Sequence, residues 1–143
     1  MKVWAYVHPQ LNILCCALLP EVVPQGVQAI EFDVVSPEDV ILDNGQIRLK
    51  TDAEKLQEAK QKKLAELKSY IASLLAPTDY IIIKIGEAQA LGDTAQIEAL
   101  KQKYSAQLQR REAIRQWNEQ TKQAINNAQS LDELGGIVIE FKG

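Results

Sequence analysis

The residues with metal-binding or nucleophilic chemistry are few in this chain. His8 is the only histidine, and the two cysteines, Cys15 and Cys16, are adjacent. A zinc site needs several His, Cys or carboxylate ligands at short spacing, and His8 has no second histidine or cysteine at such a spacing. Two adjacent cysteines cannot readily bridge one another, so we interpret them as small core hydrophobes in a reducing compartment. The sequence predicts no metal site.

No pattern of catalytic residues is visible either. Neither cysteine has the helix context that lowers a thiol pKa, which argues against a Cys-His or Ser-His-Asp nucleophile. The glycines at positions 86, 92, 135 and 136 do not have a phosphate-binding spacing. Most Asp and Glu residues lie where solvated helical faces are expected, and they receive no acid–base role. We therefore predict a non-enzymatic protein without cofactor; an enzyme or small-molecule binder in the N-terminal part is a competing hypothesis.

Aromatic, arginine and apolar residues are the better candidates for function, because interfaces concentrate their binding energy in such side chains. The alternatives are that the aromatics seal the contact between two helices and that the arginines lie on a solvated face. A terminal apolar segment could pair within the chain or extend a neighbour's sheet. The predicted partner-binding residues are Tyr80, Ile81, Ile82, Ile85, Tyr104, Arg111, Trp117, Ile137, Ile139 and Phe141.

Composition argues against two classes of partner. The net charge is −3 with 24% charged residues, which offers no electrostatic footprint for nucleic acid. No run of about 18 apolar residues is present, so no membrane span is expected. The apolar stretch 13–19 follows His8, Pro9 and other polar residues, which is atypical of a signal peptide. Charge is sparse in residues 1–50 and dense, but balanced, in residues 51–143.

The first fifty residues have strand character. Residues 3–7, 13–19 and 28–34 are rich in strand formers or alternate apolar and polar residues. Asn44-Gly45 between two alternating segments, residues 41–49, indicates a hairpin with a type I′ turn. Ser36-Pro37-Glu38-Asp39 is typical of a short helical turn. We expect a four- or five-stranded antiparallel sheet.

Two long helices are predicted after the first fifty residues. Thr51-Asp52-Ala53-Glu54 has the spacing of a capping box and opens a helix that Pro77 ends. Asp93-Thr94-Ala95-Gln96 opens a second helix, which we expect to run unbroken to about residue 129. A polar helix of that length, roughly 50 Å, needs an antiparallel partner, either the first helix or another subunit. Residues 130–133 suggest a third cap, and residues 137–141 a terminal strand.

The segment between the two long helices is ambiguous. Residues 80–85, Tyr-Ile-Ile-Ile-Lys-Ile, look like a buried strand, but their flanks look like helix ends. Thr78 or Asp79 is a suitable N-cap and Gly92 a suitable C-terminal stop. Burying one isoleucine contributes on the order of 2 kcal/mol, more than the helix propensity that a β-branched residue loses. We predict a short apolar helix at the bend of a helical hairpin.

The same region resembles a known family. Leu74-Leu75-Ala76 followed by Thr78-Asp79-Tyr80, then residues 82–88 and Leu91-Gly92-Asp93, is similar to a segment of small tail proteins of tailed bacteriophages and prophages. These include tail-assembly-chaperone-like and tail-fibre- or baseplate-associated families. The similarity covers residues 64–118. Tyr80 stands where those proteins usually have Trp, and this chain has a longer final helix and an apolar end.

The resemblance implies a virion tail protein that binds tail-fibre or baseplate subunits and resides in the host cytoplasm during assembly. A tail-assembly chaperone absent from the virion and a cytosolic helical adaptor unrelated to phage are the alternatives. We expect a homo-oligomer or hetero-complex. The predicted fold class is α+β, with an antiparallel domain at 1–50, a helical hairpin with a short connecting helix at 51–129, and a short helix or turn and a strand at 130–143.

Overall fold

A computed structural model describes all residues of the chain, Met1–Gly143. The fold is α+β, as predicted, with a small N-terminal antiparallel sheet followed by long helices. The chain divides into two compact units, Met1–Lys55 and Leu56–Gly143. Each unit has hydrophobic core residues of its own, one group in the first unit and two in the second.

The first unit contains a three-stranded antiparallel sheet. Its strands β1 (Lys2–Val7), β2 (Leu14–Ala17) and β3 (Ile30–Asp33) are ordered β2-β1-β3. Val3 and Ala5, on one face of the central strand, are fully buried. They point the same way because side chains alternate along a strand, and they form a core with Val34 and Val40.

A separate hairpin completes this unit. Strands β4 (Val40–Asp43) and β5 (Gln46–Leu49) pair only with each other. Asn44 and Gly45 have φ values of 48° and 79°, which is the positive-φ pair that a type I′ turn requires. The expectation of one four- or five-stranded sheet is therefore wrong. Between β3 and β4 lies the predicted helical turn, Pro37–Asp39, capped by the Ser36 side chain, which accepts a hydrogen bond from the Glu38 amide.

Arg48 fixes the hairpin to the start of helix α1 (Asp52–Leu75). Its guanidinium lies 2.9 Å from an Asp43 carboxylate oxygen and 2.8 Å from Glu54 Oε1. The predicted capping box is present: the Thr51 amide donates to Glu54 Oε2 at 2.8 Å, and the Glu54 amide donates to Thr51 Oγ1 at 3.2 Å. The hydrogen bonds from Arg48, followed by those from Thr51, lower the pKa of Glu54 to about 2.

Five helices follow in total, and two of them form the predicted hairpin. After α1 come α2 (Asp79–Ala90), α3 (Thr94–Lys103), α4 (Ser105–Asn127) and α5 (Leu131–Gly135). Lys60 near the start of α1 donates to the Asn126 carbonyl at the end of α4, so the two helices are antiparallel. Leu67 of α1 and Ile125 of α4 are almost fully buried in their shared core.

The apolar segment of residues 80–85 is helical, as predicted, and forms the first half of α2. A single 3-10 turn, Ala76–Thr78, joins α1 to α2, so Pro77 ends the first helix by bending the chain. Gly92, with φ of 68°, follows α2 in the left-handed conformation expected of a C-terminal stop. Thr78 precedes α2 as predicted, but its side chain does not cap the helix.

The prediction of one unbroken helix over residues 94–129 is wrong. Tyr104, with φ −107° and ψ 22°, leaves helical geometry and separates α3 from α4. Leu100 and Tyr104 pack against Ile81 and Ala88 of α2, whereas Ile125 of α4 packs against α1. The chain bends at Tyr104 because its two halves bury their apolar faces against different helices.

The predicted terminal strand at residues 137–141 does not form. This segment belongs to no sheet. Its alternation is nevertheless used, since Ile137 and Ile139 pack on the α1 and α4 core while Val138 is 70% exposed. An extended segment in which every second residue is apolar can bury those residues against helices as well as against a sheet. Here it buries Ile137 and Ile139 against α1 and α4.

Candidate protein-interaction surface

The bend between α1 and α2 is held by a buried arginine of α4. Arg111 is 5% exposed. Its Nη1 donates to the Leu75 carbonyl and to Thr78 Oγ1, both at 2.8 Å, and its Nη2 lies 2.9 Å from Asp79 Oδ1. One guanidinium therefore binds the end of α1, the connecting turn and the start of α2. We refer to Leu75, Thr78, Asp79 and Arg111 as the bend clamp.

The bend clamp explains why these residue types occur together. The last carbonyls of a helix have no intrahelical donor, and Arg111 supplies one to Leu75. Asp79 is 57% exposed at its side chain and lies at the positive end of the α2 dipole, where a carboxylate is favoured. The Arg111 Nε has no hydrogen-bond partner. Only the planar fork of an arginine reaches all three acceptors, which a lysine cannot do.

An aromatic cluster lies beside the clamp. The rings of Tyr80 and Tyr104 meet edge to face with centroids 5.7 Å apart. The Lys84 ammonium lies 5.6 Å from the Tyr80 centroid and 5.9 Å from the Tyr104 centroid, which are cation–π distances. Burial raises the pKa of the Tyr104 phenol, but Lys103 and Lys84 together bring it below its ordinary value.

Helix α2 has two apolar faces, and only one of them is covered. Ile81 is fully buried and Ile85 partly buried against α3. Ile82 and Ile83 are 41% and 61% exposed. Gly86 lies one turn further along the same side, where a methyl group in place of its hydrogen would meet no atom within 4 Å. We refer to Ile82, Ile83 and Gly86 as the α2 outer face.

Trp117 lies at the centre of a second aromatic group. Its ring is 5.9 Å from that of Tyr70 and 5.8 Å from that of Phe141, centroid to centroid. The Phe141 amide donates to the Tyr70 hydroxyl at 3.1 Å, and the Lys63 ammonium donates to the Leu134 carbonyl at 2.8 Å. These contacts attach the C-terminal segment to one side of the α1 and α4 pair.

The ten predicted partner-binding residues separate into three places. Ile81, Ile85, Tyr104 and Arg111 are buried or half-buried where α2, α3 and the bend meet. Trp117, Ile137, Ile139 and Phe141 pack together along the α1 and α4 pair. Tyr80 and Ile82 are exposed and remain directly available to a partner.

Three residues of the candidate surface, Thr78, Asp79 and Ile83, were not predicted as site residues from the sequence. Ile83 is more exposed than Ile82, and the helical spacing could have placed it away from Ile81 and Ile85, since residues two positions apart do not face each other. Thr78 and Asp79 were recognised only as helix-start residues. Their contact with Arg111 spans more than thirty residues of sequence, and no local pattern predicts such a pairing.

No group of three or more His, Cys, Asp or Glu side chains is arranged to hold a metal ion. None of the five helices combines the length and apolar character needed to cross a membrane. Comparison with known proteins gives no relative: no protein-family model, curated protein or solved structure matches this chain. A functional interpretation therefore depends on the geometry and on the resemblance noted for residues 64–118.

Proposed function

We propose that this chain is a non-enzymatic tail protein of a bacteriophage or prophage that binds tail-fibre or baseplate subunits. The observation that carries the proposal is the bend clamp, because it gives a structural purpose to the residues of the resemblance. Leu75, Thr78 and Asp79 all bind Arg111. Gly92 supplies the turn that brings α3 back onto α2. The shared residues build one supported helical bend.

The α2 outer face is the part of this bend that a tail subunit would contact. Ile82 and Ile83 are exposed on a helix whose opposite face is fixed by Ile81, so their positions are set before binding. Preorganised apolar side chains lose little conformational entropy on association. Tyr80, 45% exposed, adds an aromatic side chain of the kind enriched at interfaces.

The proposal is tested first by composition of particles. Tail particles purified from a culture that expresses the gene should contain peptides of this chain in mass spectrometry, together with fibre or baseplate subunits. Particles that lack the chain, combined with missing fibres when its gene is deleted, would instead establish an assembly chaperone. Complete and infectious particles after deletion would exclude both phage roles and leave the cytosolic adaptor.

The contact surface is tested with a matched pair of variants. Replacing Ile82 and Ile83 with Asp should abolish co-purification with the tail subunit while leaving the helical circular dichroism spectrum unchanged. Leu91→Asp is the control, because Leu91 is 84% exposed and lies beyond the last residue of α2, outside the α2 outer face. Equal retention of the subunit by the double variant and the control would exclude the α2 outer face as the contact.

A further inference from the structure

The C-terminal segment covers one side of the antiparallel pair of α1 and α4. With about 3.6 residues per turn, Lys63 and Tyr70 lie on one side of the buried Leu67, and the C-terminal segment binds there. Leu64 and Ile71 lie on the other side. A cleft of about 410 Å³ opens between the helices at this position, lined by Leu64, Lys68, Ile71, Asn118, Lys122 and Asn126. We call it the α1–α4 groove.

The spacing of the groove residues fits a third helix. Leu64, Lys68 and Ile71 are separated by four and three residues on α1, and Asn118, Lys122 and Asn126 by four residues each on α4. Side chains at these steps form parallel rows along the two helices. A helix laid between such rows inserts its own side chains into the spaces, as in a helical bundle.

The chemistry of the groove specifies the charge of its occupant. Leu64 and Ile71 give an apolar floor that is only partly buried. Lys68 has no ion pair, whereas Lys122 pairs with the exposed Glu119 at 3.0 Å. Lys60 lies at the same edge, with its ammonium 2.8 Å from the Asn126 carbonyl. Three lysines against one glutamate make the rim basic, although the whole chain has a net charge of −3.

The two asparagines add a polar contact to this floor. The side-chain amides of Asn118 and Asn126 line the groove, and neither has a hydrogen-bond partner within the chain. An amide among apolar positions of a helical bundle fixes the register of the helices that pack there. Each amide is therefore available to a polar side chain of an incoming helix.

We propose that the α1–α4 groove binds an acidic amphipathic helix of a partner protein. Such a helix presents apolar residues at three- and four-residue steps to Leu64 and Ile71, and Asp or Glu residues to Lys60, Lys68 and Lys122. The inference does not depend on the phage assignment, because it uses a different surface from the α2 outer face.

The test uses designed peptides and the full chain. The probe is a fluorescent helical peptide with leucines at three- and four-residue steps and glutamates at the flanking positions; a second peptide carries lysines in place of the glutamates. Fluorescence anisotropy should show binding of the acidic peptide alone, weakened by added salt. In NMR spectra the side-chain amide signals of Asn118 and Asn126 should shift.

Charge-reversal variants test whether the acidic peptide binds in the α1–α4 groove. Lys68→Glu with Lys122→Glu should weaken acidic-peptide binding roughly tenfold or more, and the control pair Lys62→Glu with Lys101→Glu should not, although it changes the net charge equally. No binding of the acidic peptide, equal binding of both peptides, or equal loss in both variants would overturn the proposal. So would a homodimer that only the first pair dissociates, because the occupant would then be a second copy of the chain.

Discussion

Arg111 shows how one residue can define a local architecture. Its side chain is 6% exposed, and its hydrogen bonds reach Leu75, Thr78 and Asp79. From the sequence, Arg111 was a candidate partner-binding residue, with a solvated helical face as the alternative. Burial changes that interpretation, because a guanidinium enclosed by its own chain cannot contact a partner without breaking the bend clamp.

Removal of this guanidinium should destabilise the helical unit. Arg111→Ala leaves the Leu75 carbonyl and Thr78 without their charged donor, and hydrogen bonds to charged groups contribute about 1.5–3 kcal/mol each. We expect a loss of about 2 kcal/mol or more in the free energy of unfolding, measured by urea denaturation. Arg115→Ala is the control, since Arg115 is 54% exposed and its ion pair spans 3.9 Å. A similar small loss in both variants would contradict the role assigned to Arg111.

Glu54 should make the free energy of unfolding depend on pH in the acidic range. Its pKa is lowered from 4.5 to about 2 in the folded chain, chiefly by Arg48. A lowered carboxyl pKa contributes stability above the unfolded value, and that contribution is lost as the pH falls through the folded value. The stability difference between the natural chain and Glu54→Gln should therefore shrink from about pH 5 to about pH 2. Thermal melts of both proteins across this range measure it, and a constant difference would contradict the mechanism.

Helix α2 is the element in which packing outweighs local preference. Three consecutive β-branched residues favour a strand, yet Ile81 is fully buried in a helical contact with α3. The cost in propensity is a few tenths of a kcal/mol per residue, and the burial of one isoleucine exceeds it. The same helix leaves Ile82 and Ile83 uncovered, which makes it both a structural and a candidate binding element.

Two glycines around this element should respond to alanine in opposite ways. Gly86 lies inside α2 with no atom near its added methyl group, so Gly86→Ala should stabilise the chain by about 0.5–1 kcal/mol. Gly92 also has open space but a φ of 68°, so Gly92→Ala should destabilise it by about 1 kcal/mol. Urea denaturation of the two variants measures the difference. A change of the same sign in both would contradict the assigned backbone conformations.

At the scale of the whole molecule, the two units have unequal cores. The core of Met1–Lys55 contains four buried residues, Val3, Ala5, Val34 and Val40. Leu56–Gly143 has two clusters of four buried residues each, a further buried Ile114, and an aromatic cluster around Trp117. A short segment buries a smaller fraction of its surface, so the first unit is expected to be the less stable one.

The two tryptophans can report on the two units separately, because Trp4 lies in the first and Trp117 in the second. In the Trp117→Phe variant, fluorescence reports the first unit, and in Trp4→Phe it reports the second. We expect the first unit to unfold at a lower urea concentration. Circular dichroism of each variant checks that the substitution preserves the helices. Coincident midpoints would show that the chain unfolds as one cooperative body.

Local sequence signals were sufficient where neighbouring residues decide the structure. The turn at Asn44-Gly45, the caps at Thr51 and Asp93 and the stop at Gly92 depend on backbone conformation or on hydrogen bonds within four residues. The helical state of residues 80–85 was also predicted, because its flanking residues mark helix ends. The aromatic and apolar candidates of the site were found as residue types, but their division between core and surface was not.

The sequence by itself determined the α+β order of the chain, the hairpin of long helices, the caps at Thr51 and Asp93 and the turn at Asn44-Gly45, because these follow from short-range steric and hydrogen-bonding preferences. Only the tertiary structure decided the break at Tyr104, the packing of residues 137–141 on helices and the burial of Arg111. Those outcomes depend on which apolar faces meet across long stretches of chain. A periodic pattern shows that a face must be covered, and the fold alone determines what covers it.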